Sequence, residues 1–259
     1  MYAFVAWLAV SGWAIVSGNP DSCNVRSLIE KGYRLKNVSY NFAVKSSIFS
    51  CAASCVATSI CASFDFDERR NTCFLNFNDS SLASRAPDPG FLHSDISDWP
   101  KTISGLCSKT SCGLSEHCAT YRNSSTACHP LAVIDVEHDI RTSYTFPHMH
   151  KQWADAQRYC QEKGGHLAII KNVIQNNFLQ DIIGVLGHPL KHYLGGFYNN
   201  TGDWYEWVDG TKVLDISLWA PGEPDYNEGR CMLLRYGPQW KDRLCTDERL
   251  FICQFNSFT

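Results

Sequence analysis

The residues best placed to do chemistry lie between Gly222 and Cys253. Gly222-Glu223-Pro224-Asp225 sets two carboxylates on either side of a proline, Glu228 follows, and Trp240-Lys241-Asp242 adds a further acid beside an ammonium. Cysteines at 231, 245 and 253 close the segments. Carboxylate oxygens in this number suit a hard cation such as calcium, which takes about 6–8 oxygen ligands. An ammonium only donates, so Lys241 cannot ligate a cation and adds a positive charge beside one. Patterns that would mark catalysis are missing. His148-Met149-His150 offers two imidazoles with no third ligand at metal spacing, and the chain has no His-Glu-x-x-His, Gly-x-Ser-x-Gly or phosphate-binding loop. These residues point to a binding protein rather than an enzyme.

The N-terminus indicates the compartment. Tyr2 to Val16 is apolar apart from Ser11 and Gly12, and Val16-Ser17-Gly18 supplies small residues for cleavage, so residues 1–18 read as a secretory signal peptide. Such a run falls short of the roughly 20 residues that span a bilayer. No later segment is long and apolar enough to cross a membrane. Thirteen cysteines in 259 residues suit an oxidising, extracellular setting. Four glycosylation acceptors agree with it: Asn37, Asn78, Asn123 and Asn199, each two residues before Ser or Thr. The net charge of −3, with no basic stripe along the sequence, argues against nucleic acid and anionic membranes as partners.

In the first half, Ser46-Ser47 reads as a cap for a helix carrying Cys51 and Cys55 on one face. Cys61 to Phe66 alternates like a strand, and Asp65, Asp67, Glu68, Arg69 and Arg70 read as a solvated charged turn. Residues 23–107 resemble the apple, or PAN, module. That resemblance implies a helix cradled by a small antiparallel sheet, nested pairs Cys51–Cys73 and Cys55–Cys61, and Cys23–Cys107 closing the ends. Residues 107–130, with Cys107, Cys112, Cys118 and Cys128, look like a truncated EGF module, which implies Cys107–Cys118 and Cys112–Cys128. Cys107 cannot serve both schemes. The odd total leaves a cysteine without an intrachain partner: Cys23 under the EGF-like pairing, which is preferred, or one of Cys112, Cys118 and Cys128 under the apple pairing. A spare cysteine implies an intermolecular disulfide or a free thiol.

In residues 139–257, Tyr144 to Phe146 reads as a first strand, His150 to Lys163 as an amphipathic helix stopped by Gly164-Gly165, and His166 to Ile170 as a strand. Ile174, Phe178, Ile182 and Leu186 outline a second helix. Later strands fall at Tyr193–Phe197 and Trp204–Gly210. Together with Trp219 and the closing cysteines, this segment resembles the C-type lectin-like domain. The fold class expected is α+β: a disulfide-stabilised C-type lectin-like domain preceded by a small apple/PAN-like α+β module.

The resemblance implies disulfides Cys160–Cys253 and Cys231–Cys245, a cis proline at Pro224, and calcium held by Glu223, Asp225, Glu228 and Asp242 with room for sugar hydroxyls. Ligand contacts then fall to Glu223, Asp225, Tyr226, Lys241 and Asp242. This chain departs from the family pattern in three ways. Lys241 stands where Asn is expected, Gly229 stands where a ligand Glu is usual, and the span from Glu223 to Cys231 is two residues short. Two outcomes follow: calcium with waters completing its shell, or a metal-free loop in which the Lys241 ammonium pairs with Glu223 or Asp225. The expected function is secreted recognition of glycans or glycoproteins. The alternative is calcium-independent protein–protein recognition on the same scaffold, with the apple module also meeting protein partners.

Overall fold

The computed structural model describes residues 25–43, 45–136, 138–187, 191–214, 218–226, 229–237 and 239–256. The signal peptide, Cys23 and the expected ligand Glu228 lie outside the described residues.

The N-terminal sheet takes the order β1 (Glu30–Leu35), β5 (Arg85–Asp95), β3 (Ser63–Asp67), β4 (Thr72–Asn76), β2 (Ser39–Ala43), antiparallel throughout. Helix α1 (Ile48–Val56) begins at Ser47, whose hydroxyl accepts the Ser50 amide at 3.1 Å and satisfies one of the helix's free donors. A helix of nine residues is marginal in isolation. Its buried face, Cys51, Ala52 and Cys55, anchors it to the sheet, with disulfides Cys51–Cys73 and Cys55–Cys61.

Strand β3 is buried along its whole length although its sequence is Ser-Phe-Asp-Phe-Asp. Asp65 and Asp67, expected in a solvated turn, are therefore core groups; Arg69 and Arg70 stay exposed. Burying a carboxylate is tolerable only when it is hydrogen-bonded. The Asp65 carboxylate accepts from the Leu35 amide at 3.2 Å and Asn76 Nδ2 at 2.9 Å, and lies 2.7 Å from His93 Nδ1. The other His93 nitrogen lies 3.1 Å from Asp95.

The connecting segment holds 3₁₀ turns over Lys101–Lys109 and a hairpin of β6 (Glu116–Thr120) and β7 (Thr126–Pro130). Disulfides join Cys107 to Cys118 and Cys112 to Cys128, the EGF-like scheme rather than Cys23–Cys107. Among the described residues, six disulfides join twelve of the chain's thirteen cysteines.

The C-terminal half has two sheets. One takes the order β10 (His166–Leu167), β16 (Cys253–Asn256), β9 (Asp139–Thr145), β8 (Val133–Asp135). The other takes the order β12 (Trp204–Trp207), β11 (His192–Asn199), β13 (Cys231–Leu234), β14 (Trp240–Arg243), with β15 (Leu250–Phe251) parallel to β11. Disulfide Cys160–Cys253 ties α2 (Trp153–Glu162) to β16, and Cys231–Cys245 ties β13 to the turn after β14.

Several elements differ from expectation. Helix α2 starts after Gln152, because Lys151 bridges Arg249 in extended conformation. The strand expected over His166–Ile170 ends at Leu167, where the Ile169 amide turns to Gln254 Oε1 instead of a ladder partner. Strand β9 reaches back to Asp139 and pairs with β8, so Tyr144 belongs to the second strand of this half. Helix α3 (Val173–Val185) buries Phe178 and Ile182 of the outlined stripe, with Leu186 buried at its C-cap, but leaves Ile174 exposed; it is capped by Asn172, which accepts the Gln175 amide. One hydrophobic cluster runs through both halves, from Leu35 and Phe64 to Trp240 and Ile252.

Candidate ligand loop

The site is positioned by β14. Successive side chains of a strand point to opposite faces, so Trp240 and Asp242 enter the core while Lys241 and Arg243 face the other way. Trp240 and Asp242 are both fully buried. The Trp240 indole donates to Asn176 on α3 at 3.0 Å, and its carbonyl accepts the Ala220 amide at 2.9 Å. Ala220 in turn accepts the Glu223 amide at 2.9 Å, and the Glu223–Pro224 bond is cis. The loop is thus hung on the β14 backbone, which brings Glu223, Asp225 and Asp242 to within 4.8 Å of one another.

The carboxylates are already committed. Asp242 accepts the Tyr205 hydroxyl at 2.5 Å and the amides of Asp225 and Tyr226 at 3.2 and 3.3 Å. Glu223, only 5% exposed, accepts from Lys241 Nζ at 2.9 Å and from Arg243 at 3.2 and 3.4 Å. Burial by itself would raise Glu223, but hydrogen bonding with Asp242, the Lys241 ammonium and the Arg243 guanidinium hold it down at about 2. Asp242 is pushed up, first by burial and then by Glu223 beside it. Tyr205 is raised by its burial and by its bond to Asp242.

A calcium ion among these oxygens would compete with side-chain cations and donors already in place. A hard cation needs several carboxylate oxygens with free lone pairs, and here two side-chain cations sit on Glu223 while three donors point at Asp242. Gly229 leaves no room for a missing glutamate. Its φ is +150°, and a Cβ there would lie 1.8 Å from the Arg243 carbonyl carbon.

Tyr226 is the expected ligand residue that faces outward. It is 53% exposed and sits at φ +59°, held by its amide on Asp242. Its ring meets Tyr198 edge-on at 5.4 Å and Tyr205 at 6.1 Å, and Arg230 lies 4.9 Å over Tyr198. Sequence reasoning picked out Tyr226 but missed Arg243, Tyr198 and Tyr205. Register with β13 and β11 supplies those, and no motif carries it. Of the glycosylation acceptors, Asn37 is exposed at φ +57°, and Asn78 is half-buried. The side-chain oxygens of Asn123 and Asn199 accept amides of their own turns.

Residues 149–255 match the family model described as the Lectin C-type domain, and residues 28–95 match the PAN domain model. Human C-type lectin domain family 10 member A is 31% identical over 140 residues, covering 51% of this chain and 42% of the relative. Asialoglycoprotein receptor 1 of Pongo abelii is 31% identical over 139 residues, covering 51% of this chain and 45% of the relative. The human scavenger receptor C-type lectin carbohydrate-recognition domain aligns at 25% identity with a TM-score of 0.43, covering 50% of this chain and 99% of that one. The alignments span less than half the length of these curated relatives. The chain carries a disulfide-bonded C-type lectin domain, of a carbohydrate-binding, non-enzymatic family, behind a PAN domain. No helix among the described residues is long and apolar enough to cross a membrane.

Proposed function

We propose that this is an extracellular glycan-recognition protein whose lectin loop works without calcium. The observation that carries the reading is the Lys241–Glu223 ion pair, braced by Arg243, which puts fixed side-chain cations where the family implies a metal. Above the pair, Tyr226 offers an exposed ring beside Asp225. A flat aromatic face takes the apolar side of a sugar ring, and the neighbouring carboxylate accepts its hydroxyls. The lectin relatives support glycans or glycoproteins as the ligand class, and the disulfides support an oxidising compartment. The odd cysteine count, thirteen, supports an intermolecular disulfide. A protein partner on the same face is the competing reading.

Glycan-array binding of the whole chain, repeated with a chelator and with Tyr226→Ala, tests the proposal. Binding that survives chelation and falls in the variant is expected. Binding abolished by chelation would overturn the metal-free loop; binding to no glycan, with capture of a protein ligand through the Tyr226 face, would favour the protein-partner reading.

A further inference from the structure

The sequence shows no basic stripe, yet the fold gathers one on the lectin domain. Parallel β15 places Leu250 opposite His192 and Phe251 opposite Tyr193. Antiparallel β13 places Leu234 opposite His192 and Leu233 opposite Tyr193, and β14 places Lys241 opposite Leu233 and Arg243 opposite Cys231. One residue beyond these pairs, at neighbouring ends of the three strands, stand Lys191, Arg235 and Arg249, whose backbone bridges Lys151. By the two-residue alternation of strands they share the face that carries Lys241 and Arg243. Strands lie about 4.8 Å apart, so these three ends span about 10 Å.

The balance of charge on this face is positive. Against Lys191, Arg235, Lys241, Arg243 and Arg249 stand Glu223, which takes Lys241 and Arg243, and Asp247, 2.6 Å from Arg249. Glu248 is exposed beside Arg249. Burial and then the charges of Arg249, Arg243, Lys241 and Arg235 lower the Lys191 ammonium, an independent sign that like charges converge there. Like charges at this spacing repel one another and lower stability, so the arrangement calls for a ligand that compensates it.

We infer that this face binds a run of anionic groups on an acidic glycan, sulfated or carboxylated, with Lys191 and Arg235 as the principal contacts. The inference rests on the glycan reading above and names its ligand class. The net charge of −3 for the whole chain makes a long polyanion a poor partner outside this patch. A short acidic stretch of about 10 Å fits it.

The test uses the whole chain and two probes, a heparin-derived octasaccharide and its desulfated, N-acetylated counterpart, titrated by fluorescence anisotropy at two salt concentrations. The sulfated probe is expected to bind at least about tenfold tighter and to weaken as salt rises. Lys191→Ala with Arg235→Ala is expected to lose about tenfold for the sulfated probe, with the melting temperature retained. Lys191→Arg with Arg235→Lys is expected to keep binding. Equal affinity for the two probes, wild-type affinity in the double alanine variant, or equal competition by a short DNA duplex would overturn the inference. The two readings fail separately. Neutral-glycan binding that depends on Tyr226, with sulfated binding indifferent to Lys191 and Arg235, removes only the acidic ligand. Binding of no glycan of either kind removes both.

Discussion

Lys241 Nζ lies 2.9 Å from Glu223 Oε1, and the lysine side chain is itself only 21% exposed. The pair therefore sits in a partly dry site, where an ammonium on a carboxylate does the structural work of a bound ion. Removing one partner of such a pair leaves the other charge poorly solvated. Lys241→Met is expected to lower stability by about 1–3 kcal/mol, less than a full orphaned charge because Arg243 remains. Denaturant unfolding of the variant measures this. In the wild type, calcium and chelator are expected to leave the melting temperature unchanged; a rise of several degrees with calcium would contradict the metal-free loop.

Changing Lys241 alone does not open a metal site, because Arg243 still holds Glu223 at 3.2 Å. Lys241→Asn combined with Arg243→Gln replaces both cations by groups that offer a carbonyl oxygen. The double variant is expected to gain a calcium-dependent rise in melting temperature that neither single variant shows. Calorimetric titration of all three measures the same difference directly.

Gly229→Glu restores on paper the ligand glutamate that the family pattern places shortly before Cys231. It is expected to unfold the loop instead, since its Cβ would overlap the Arg243–Leu244 peptide at 1.8–2.0 Å. Loss of more than about 3 kcal/mol is expected, from overpacking against backbone together with strain at a positive φ. Thermal unfolding of Gly229→Glu beside Gly229→Ala checks this, and both variants are expected to fall.

Tyr226 and Tyr205 separate binding from stability. Tyr226→Ala removes an exposed ring and is expected to reduce glycan affinity about tenfold, with a stability change within about 0.5 kcal/mol. Tyr205→Phe deletes the 2.5 Å hydrogen bond into buried Asp242 and is expected to cost about 1.5–3 kcal/mol. Paired binding and melting measurements on the two variants distinguish the roles.

Much of this organisation was legible in residue types and spacing. The apolar stripe of α3 and the Ser47 cap mark elements whose local signals agree with the fold. The acids at 223, 225 and 242 converge as their places around the proline and the tryptophan suggest. Register was not legible. Arg243 meets Glu223, and the ends carrying Arg249, Lys191 and Arg235 come together, only because four strands pair with particular offsets set by side chains distant in sequence. Burial of polar residues was equally hidden. Asp65 and Asp67 sit in a run of charges that reads as solvated, and only the other strands of the sheet, with Leu35, Asn76 and His93, show what satisfies Asp65.

The Asp65–His93–Asp95 chain gives the PAN domain a pH-dependent stability. His93 is fully buried between two carboxylates, with the Tyr33 ring 5.2 Å away. Burial alone would lower it, but the hydrogen bonds and charges of Asp65 and Asp95 outweigh burial and raise it above its usual value of 6.5. A group raised in the folded state contributes its full stability below its unfolded pKa, here about 6.5. That contribution is lost as pH climbs through the folded value, at up to about 1.4 kcal/mol per pH unit. Asp95 works in the opposite sense. Burial would raise it, but Ser80 and His93 lower it below 3.8, so its contribution holds above that value and fades as pH falls through the folded one. Hydrogen exchange of the β3 amides is expected to be slowest between about pH 4 and 6.5 after correction for the intrinsic rate, and to speed up on the alkaline side. His93→Gln is expected to abolish that alkaline slope while lowering protection overall. An unchanged slope in the variant would assign it to another group.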